Sequence, residues 1–185
     1  MIYNSKIQKA INFAIEAHKG QTRKGKNIPY ITHPLAVGLI LAGMGAEEDI
    51  IVAGVLHDTI EDSHGKIKQE AIRQEFGVRV AQMVNDVTEQ DQSLPWEERK
   101  RIALEHIPEI NKDSFLVKSA DVLHNISDLL FDLEKEGDII FQRFNAPKGK
   151  QFDRYKNLVS KLEQAWPENP LLPELKQNLG KLLRS

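Results

Sequence analysis

The chain has 185 residues, contains no cysteine, and carries 25 Lys and Arg residues against 27 Asp and Glu residues. This length predicts one domain with a proper core, and the balanced charge gives no indication of a nucleic-acid partner. Without cysteine, disulfides and thiolate metal sites are excluded, so any metal must be held by His, Asp and Glu. The sequence contains no apolar run of about 18 residues and no signal-peptide pattern, which predicts a cytoplasmic protein without a membrane partner.

Apolar residues recur at helical spacing along the first half of the chain, and no period-two strand pattern competes with them. Ser5 and Gln8 form a capping box for the first helix. A loop rich in Gly, Pro and Asn follows, and Thr32 is placed to cap the second helix. The helices predicted in this half cover residues 5 to about 18, 32 to about 43, 47–59, 67–76 and 78–88.

The second half continues the helical pattern. Pro95 opens a charged surface helix, and Asp113 or Ser114 caps a long helix that ends near Gly137. Residues 145–151 are predicted to form a loop, and two closing helices cover 152–166 and 170–183. The fold class is therefore all-α, with a single domain over residues 1–185.

The segment Ile51–Asp62 combines an apolar run with a cluster of groups that bind metals. In a helix, side chains four residues apart share a face, so His57 aligns with Glu61 and Asp58 aligns with Asp62. The apolar run predicts burial, and buried carboxylates cost several kcal/mol unless they are paired or bind a metal. Because the segment contains no Lys or Arg, it indicates a cation site rather than a salt-bridged surface.

A second set of polar residues extends this site. Asp121 and Asn125 lie one turn apart on the long predicted helix, and His33 stands at the start of the second helix. With His57 and Asp58, these positions supply two imidazoles and two carboxylates, a set that suits Mn²⁺, Fe²⁺, Ni²⁺ or Zn²⁺. A metal with exchangeable positions holds a phosphate oxygen and lowers the pKa of a bound water.

Further residues are placed to assist such a reaction. Glu61 and Asp62, one turn beyond the ligands, could transfer protons or orient the water. The loop between the first two helices concentrates four cations that would attract a phosphorylated substrate. These cations are Lys19, Arg23, Lys24 and Lys26.

Each of these features also has a simpler structural explanation. His33 fits a role at a helix start, Asp121 fits a core acid bonded to a backbone amide, and the cationic loop fits a solvated surface. Glu61 and Asp62 fit an exposed helix end, although negative charge there opposes the helix dipole. The remaining histidines are assigned to structural or surface positions: His18, His64, His106 and His124. The site hypothesis rests on all the candidates occurring together.

Several segments resemble a known family when they are taken in order: HKGQTRKGKNIPYITHP, VLHDTIED, FGVRVAQMVNDVTE, WEERK and KSADVLHNISDL. They are similar to the hydrolase module of the RelA/SpoT alarmone family, and closest to its stand-alone small alarmone hydrolases of the HD superfamily. The resemblance runs from about residue 8 to residue 133, and helices over 150–183 are expected to complete the domain.

The resemblance implies a role for each matched position. His33, His57, Asp58 and Asp121 match four ligands of one divalent metal ion, usually Mn²⁺. Glu61 and Asp62 match a catalytic acid pair, Arg23 and Lys24 match the guanine-stacking residue and its adjacent cation, and Asn125 matches an amide that contacts the nucleotide. The implied reaction removes pyrophosphate from the 3′ position of ppGpp or pppGpp. No synthetase domain is expected in a chain of this length.

Two departures from the family pattern leave alternatives open. Val122 and Ser127 stand where the family often has cations, which favours a related phosphohydrolase that acts on another nucleotide. A non-catalytic nucleotide sensor is the more remote alternative. The presence of Glu61 and Asp62 speaks against it, because a sensor would not need them.

Overall fold

The computed structural model describes residues 4–63, 66–89 and 93–185, and within these ranges the chain is helical with no β-strand. Two short 3-10 helices, Ile107–Glu109 and Gly137–Arg143, connect the longer ones. The α-helices are α1 Ser5–Ala17, α2 Thr32–Gly43, α3 Glu48–Leu56, α4 Gln69–Phe76, α5 Val78–Val87, α6 Trp96–His106, α7 Lys112–Glu136, α8 Lys148–Ala165 and α9 Leu172–Leu182. The prediction of an all-α fold is confirmed.

Helix α3 forms the centre of the molecule. Every residue from 50 to 56 is buried, because α1, α2, α5 and α7 all pack against this short apolar helix. The burial of so many aliphatic side chains is a main source of stability, at roughly 25 cal/mol per Å² of apolar surface. Since α3 is enclosed, the polar groups that follow it, starting with His57, enter the interior rather than the solvent.

Two glycines allow α2 to lie against α3 at short distance. A Cβ atom at Gly54 would stand 2.4 Å from Leu41 Cδ1, and one at Gly38 would stand 2.6 Å from Val55 Cγ2. A side chain at either position would therefore force the two helices apart. Their close approach brings the first turn of α2, which carries His33, next to the end of α3.

Helix α7 is the longest element and connects the two halves of the fold. It packs on α2, α3 and α5, and α8 and α9 pack against it as well as against each other. Asn111 caps it, because its side chain accepts hydrogen bonds from the N–H groups of Asp113 and Ser114. The prediction of Asp113 or Ser114 as the cap was therefore wrong by two or three residues.

Other predicted helix limits differ from the structure for local reasons. Asn4 rather than Ser5 caps α1, and Thr32 lies inside α2, where its Oγ1 donates to the Pro29 carbonyl. Helix α8 begins at Lys148, so the predicted loop is wrong over its last four residues. Helix α3 ends at Leu56 instead of Thr59, because both the N–H and the Oγ1 of Thr59 bond to the Leu56 carbonyl.

One negative finding concerns membranes. Within the part of the chain that the structure describes, no helix combines the length and the apolar character that crossing a bilayer requires.

Candidate active site

Four predicted ligand side chains meet where α2, α7 and the end of α3 come together. The Nε2 atoms of His33 and His57 lie 3.1 Å apart. Asp58 Oδ2 lies 3.4 Å from the first of these nitrogens and 3.1 Å from the second. Asp121 Oδ1 lies 3.4 Å and 3.8 Å from the same two atoms. The structure thus brings together side chains that are up to 88 positions apart in the sequence.

In the metal-free protein, a proton on His57 balances the negative charge of this cluster; a metal ion would have to displace it. Burial would lower the pKa of His57, but the neighbouring Asp58 and Asp121 carboxylates outweigh it and raise that pKa to about 9. Although burial alone would raise it, the pKa of Asp58 is held well below its usual value by His57 and His33. His57 Nδ1 lies 2.8 Å from the Gly54 carbonyl and donates to it, so Nε2 faces the cluster. His33, His57 and Asp58 thus present three donor atoms within 4.8 Å of one another, and Asp121 Oδ1 lies within 3.8 Å of the two nitrogens. Such nitrogen and oxygen donors are typical of a metal centre without sulfur.

His124, predicted to occupy a structural or surface position, contacts one of the predicted ligands. Its Nδ1 lies 2.8 Å from His33 Nδ1, and one of the two nitrogens must carry the proton. If His33 Nε2 is to bind a cation, His33 donates and His124 accepts. Burial, together with His33 and Arg23, lowers the pKa of His124 to about 4 and keeps it neutral. The three-residue spacing from Asp121 was the signal that could have placed His124 here.

Two further residues support the carboxylates. The Tyr30 hydroxyl donates to Asp58 Oδ2 at 2.7 Å, and Lys118 Nζ lies 3.0 Å from Asp121 Oδ2. Lys118 precedes Asp121 by three residues on α7, so helical spacing could have indicated it. Tyr30 comes from the irregular loop before α2, and no periodic pattern could have indicated it.

The predicted acid pair lies on the turns that follow α3. Burial and the nearby carboxylates of Asp58 and Glu89 raise the pKa of Glu61 to about 7, while its Oε2 accepts the N–H of Glu89 at 3.2 Å. The pKa of Asp62 is raised by burial and by Asp58, against a hydrogen bond from Tyr30. A hydrogen bond from the Asp62 N–H to the Asp58 carbonyl retains one helical turn at this point.

A cavity of about 280 Å³ is lined by the three predicted nucleotide-binding residues and by Tyr30, whose hydroxyl bonds to Asp58, while the four predicted metal ligands do not line it. Arg23 Nη2 donates to Asn125 Oδ1 at 3.0 Å and to Asp128 Oδ2 at 2.9 Å, and its guanidinium carbon lies 5.6 Å from the centre of the Tyr30 ring. Asn125 also donates to Asp121, so it connects this cavity to the ligand cluster. Lys24 lines the cavity rim and is exposed.

The loop cations do not act as one group. Lys26 pairs with Asp128 at 2.8 Å and with Asp132 at 2.6 Å, which fastens the loop to α7. Lys19 is exposed and pairs with Glu16 instead. A larger cavity of about 550 Å³ lies between the end of α5 and α6, and none of the predicted site residues lines it.

The two departures from the family pattern do not open the site. Val122 is 2% exposed and belongs to the hydrophobic core. The Ser127 hydroxyl donates to the Leu123 carbonyl and accepts a hydrogen bond from Asn178 on α9. Val122 thus serves the packing of the core, and Ser127 bonds to the α7 backbone and to α9. The hypothesis drawn from these positions, a different nucleotide as substrate, stays a prediction.

Comparisons with known proteins give consistent results. The profile described as HD domain matches residues 10–150. The chain is 44% identical over 126 residues to the guanosine-3′,5′-bis(diphosphate) 3′-pyrophosphohydrolase MESH1 of Xenopus tropicalis, a match that covers 66% of this chain and 69% of that protein. The protein of the same name from Homo sapiens is 38% identical over 128 residues, covering 68% and 70%. A solved structure, described as a metazoan ortholog of SpoT that hydrolyzes ppGpp, matches with a TM-score of 0.78 and 28% identity over 98% of this chain and 96% of that one.

Proposed function

The chain belongs to the HD domain family, and we infer that it hydrolyses the 3′-pyrophosphate of the guanosine alarmones ppGpp and pppGpp. The products are pyrophosphate and GDP or GTP. The observation that carries this inference is that each of two carboxylates lies within 3.8 Å of the same two imidazole nitrogens. Asn125, which donates to Asp121, also lines the cavity of the predicted nucleotide-binding residues. The relatives named for this reaction support the same substrate.

We propose Mn²⁺ as the cation. His33, His57, Asp58 and Asp121 would hold it, since Mn²⁺ favours carboxylate oxygens and is also bound by imidazole nitrogens. When bound, such an ion acts as a Lewis acid toward phosphoryl oxygens and makes a nucleophile accessible at neutral pH. His124 and Tyr30 orient two of these ligands through the Nδ1 of His33 and the Oδ2 of Asp58.

Glu61 and Asp62 handle the protons of the reaction in this proposal. Hydrolysis requires that a water lose a proton and that the leaving oxygen be stabilised or protonated. A carboxyl whose pKa lies near 7, as that of Glu61 does, both accepts and releases protons at neutral pH. The backbone N–H of Glu89 holds the Glu61 carboxyl in place from the neighbouring helix end.

Arg23, Lys24 and Asn125 bind the nucleoside in this proposal. The Arg23 guanidinium is held in one orientation by two oxygen acceptors, so its flat face is available to stack on a base without further ordering. Lys24 adds positive charge at the rim, and Asn125 links the base-binding residue to the ligand Asp121. When these groups hold the nucleoside, the 3′-diphosphate of the substrate points toward the predicted metal ligands.

The direct test is to incubate the purified protein with ppGpp and Mn²⁺ and to identify the products by anion-exchange chromatography. We expect equal amounts of GDP and pyrophosphate, and no products after chelation of the metal. Release of single phosphates, or hydrolysis of a 5′-nucleotide in preference to ppGpp, would contradict the proposal. The wild-type protein without added nucleotide serves as the baseline.

A further inference from the structure

We call the cavity of about 280 Å³ that is lined by Arg23, Lys24 and Asn125 the nucleotide cavity. Some of the cations that line it are paired with carboxylates and others are not. Among its described lining residues, Arg23 and Lys26 pair with carboxylates of α7, and Lys100 pairs with Glu89. The guanidinium of Arg154 differs, because it has no hydrogen bond or ion pair with any residue that the structure describes. Within the described ranges, the five N–H donors of this half-buried side chain therefore have no acceptor.

Arg154 lies close to one aromatic ring and near two lysines. Its guanidinium carbon lies 5.1 Å from the centre of the Tyr155 ring. Burial and the nearby Arg154 guanidinium lower the pKa of Lys100, and the same guanidinium opposes protonation of Lys118. Lys24, by contrast, is exposed and donates to a side-chain amide. Among the residues that the structure describes, Arg154 is therefore the half-buried cation of this cavity without a carboxylate partner.

The position of Arg154 indicates what it could bind. Together with Trp96 and Lys100, it lines both the nucleotide cavity and a neighbouring cavity of about 310 Å³. Arg154 therefore lies at the boundary between the two cavities, where it could contact a ligand that occupies either of them. Lys118 and Lys150 also line the second cavity, but each is paired with a carboxylate, Asp121 and Glu97 respectively, so Arg154 remains the lining cation that an anion would neutralise.

The substrate of the proposed reaction has two phosphate arms, and this step rests on that proposed function. The arms leave the 3′ and 5′ carbons of one ribose, so a nucleotide whose 3′ arm lies at the ligand cluster must place its 5′ arm elsewhere. We propose that Arg154, with Lys100 beside it, binds the 5′-diphosphate of the alarmone. Arginine suits this role because its planar fork matches two phosphate oxygens at once.

The test compares two substrates and three variants. The substrates are ppGpp and guanosine 3′-diphosphate with a free 5′-hydroxyl, both assayed for pyrophosphate release with Mn²⁺. For Arg154→Gln we expect kcat/KM on ppGpp to fall about ten- to hundredfold, and on the second substrate to change less than about twofold. Arg154→Lys should recover part of the loss. Lys156→Gln, which removes an exposed cation from the same helix, should leave both values unchanged.

The outcomes separate this inference from the proposed function. Equal losses on both substrates would mean that Arg154 contacts the departing pyrophosphate or supports the fold, and would overturn the assignment. An unchanged kcat/KM on ppGpp would overturn it as well. Hydrolysis of ppGpp by the wild-type protein tests the function itself, whereas the ratio between the two substrates tests only Arg154. Circular dichroism of Arg154→Gln checks that the variant is folded.

Discussion

Asp58 is the side chain on which the proposed metal centre depends most. Its Oδ2 lies within 3.4 Å of both imidazole Nε2 atoms and also accepts the Tyr30 hydroxyl. A single oxygen therefore connects the ligands from two helices to the loop that carries Arg23. Removing it would leave two imidazoles and one carboxylate, which is a weaker site for a cation that prefers oxygen donors.

We predict that Asp58→Ala loses bound metal and activity together, with turnover of ppGpp reduced by more than about a hundredfold. Metal content after dialysis, measured by inductively coupled plasma mass spectrometry, and pyrophosphate release check this. Asp138→Ala removes an exposed carboxylate that pairs with Lys148, and it should change neither quantity. Full metal content in the Asp58 variant would remove this residue from the ligand set.

Substitution of Glu61 distinguishes a role in proton transfer from a role in metal binding. We predict that Glu61→Gln keeps its metal content but slows turnover about a hundredfold or more, because the amide cannot accept a proton. Pre-steady-state and steady-state assays of pyrophosphate release measure the effect. Glu75→Gln, at an exposed ion pair with Lys9, is the matched control. Turnover like that of the wild type would move the proton-transfer role to another residue.

Arg23 is expected to act on substrate binding. In Arg23→Ala the base loses its stacking partner, so we predict that KM for ppGpp rises about tenfold while kcat changes less than threefold or so. Initial-rate kinetics distinguish these parameters. Lys19→Ala, which removes an exposed cation from the same loop, provides the comparison. If KM stays the same, Arg23 does not contact the substrate.

At the scale of elements, the packing of α2 against α3 determines the positions of the two histidines that are predicted to bind the metal. His33 comes from the first turn of one helix and His57 directly follows the other, so any separation of the helices also separates the two imidazoles. Gly54 holds this arrangement in two ways. It lets Leu41 approach, and its carbonyl accepts the Nδ1–H of His57.

We predict that Gly54→Ala lowers the free energy of unfolding by about 1–3 kcal/mol, because the new methyl group would meet Leu41 Cδ1 at 2.4 Å. Urea denaturation checks this. Gly180→Ala is the control, since its Cβ would meet only Arg184 at 3.6 Å. At that helical position alanine should stabilise the protein by about 0.5–1 kcal/mol. A Gly54 variant as stable as the wild type would show that the helices adjust without cost.

Helix α7 shows what helical spacing can predict. Lys118, Asp121, Asn125 and Asp128 follow one another at intervals of three or four residues and share one face, which supports both the ligand cluster and the nucleotide cavity. His124 lies beside this face and reaches His33. The relative positions of these residues along α7 are thus a property of the sequence, whereas their partners on α2 and in the loop are not.

At the scale of the whole molecule, the site places acidic groups in the interior, and stability should depend on pH. Burial, Asp58 and Glu89 raise the pKa of Glu61 from 4.5 to about 7. A carboxyl with a higher pKa in the folded than in the unfolded state stabilises the fold when it is protonated. That contribution is complete below the unfolded pKa and is lost as the pH rises through the folded pKa.

For the metal-free protein, we predict that the free energy of unfolding falls by about 2–3 kcal/mol more in the wild type than in Glu61→Gln as the pH rises from about 4.5 to about 7.5. Urea denaturation at a series of pH values, with chelator present, measures the difference. The comparison with the variant cancels the contributions of other groups. Parallel pH profiles would indicate that the Glu61 carboxyl has an ordinary pKa in the folded protein.

The helices and the residue types of the site follow from the sequence, because helical periodicity and capping act over a few neighbouring residues. The apolar run before His57 also predicted correctly that this imidazole would be buried. Tertiary structure decided the rest. Contacts such as Tyr30 with Asp58, His124 with His33, and Arg23 with Asp128 join residues 28, 91 and 105 positions apart. No local pattern encodes them, because they depend on how closely α2, α3 and α7 pack and on which loop conformation their side chains then stabilise.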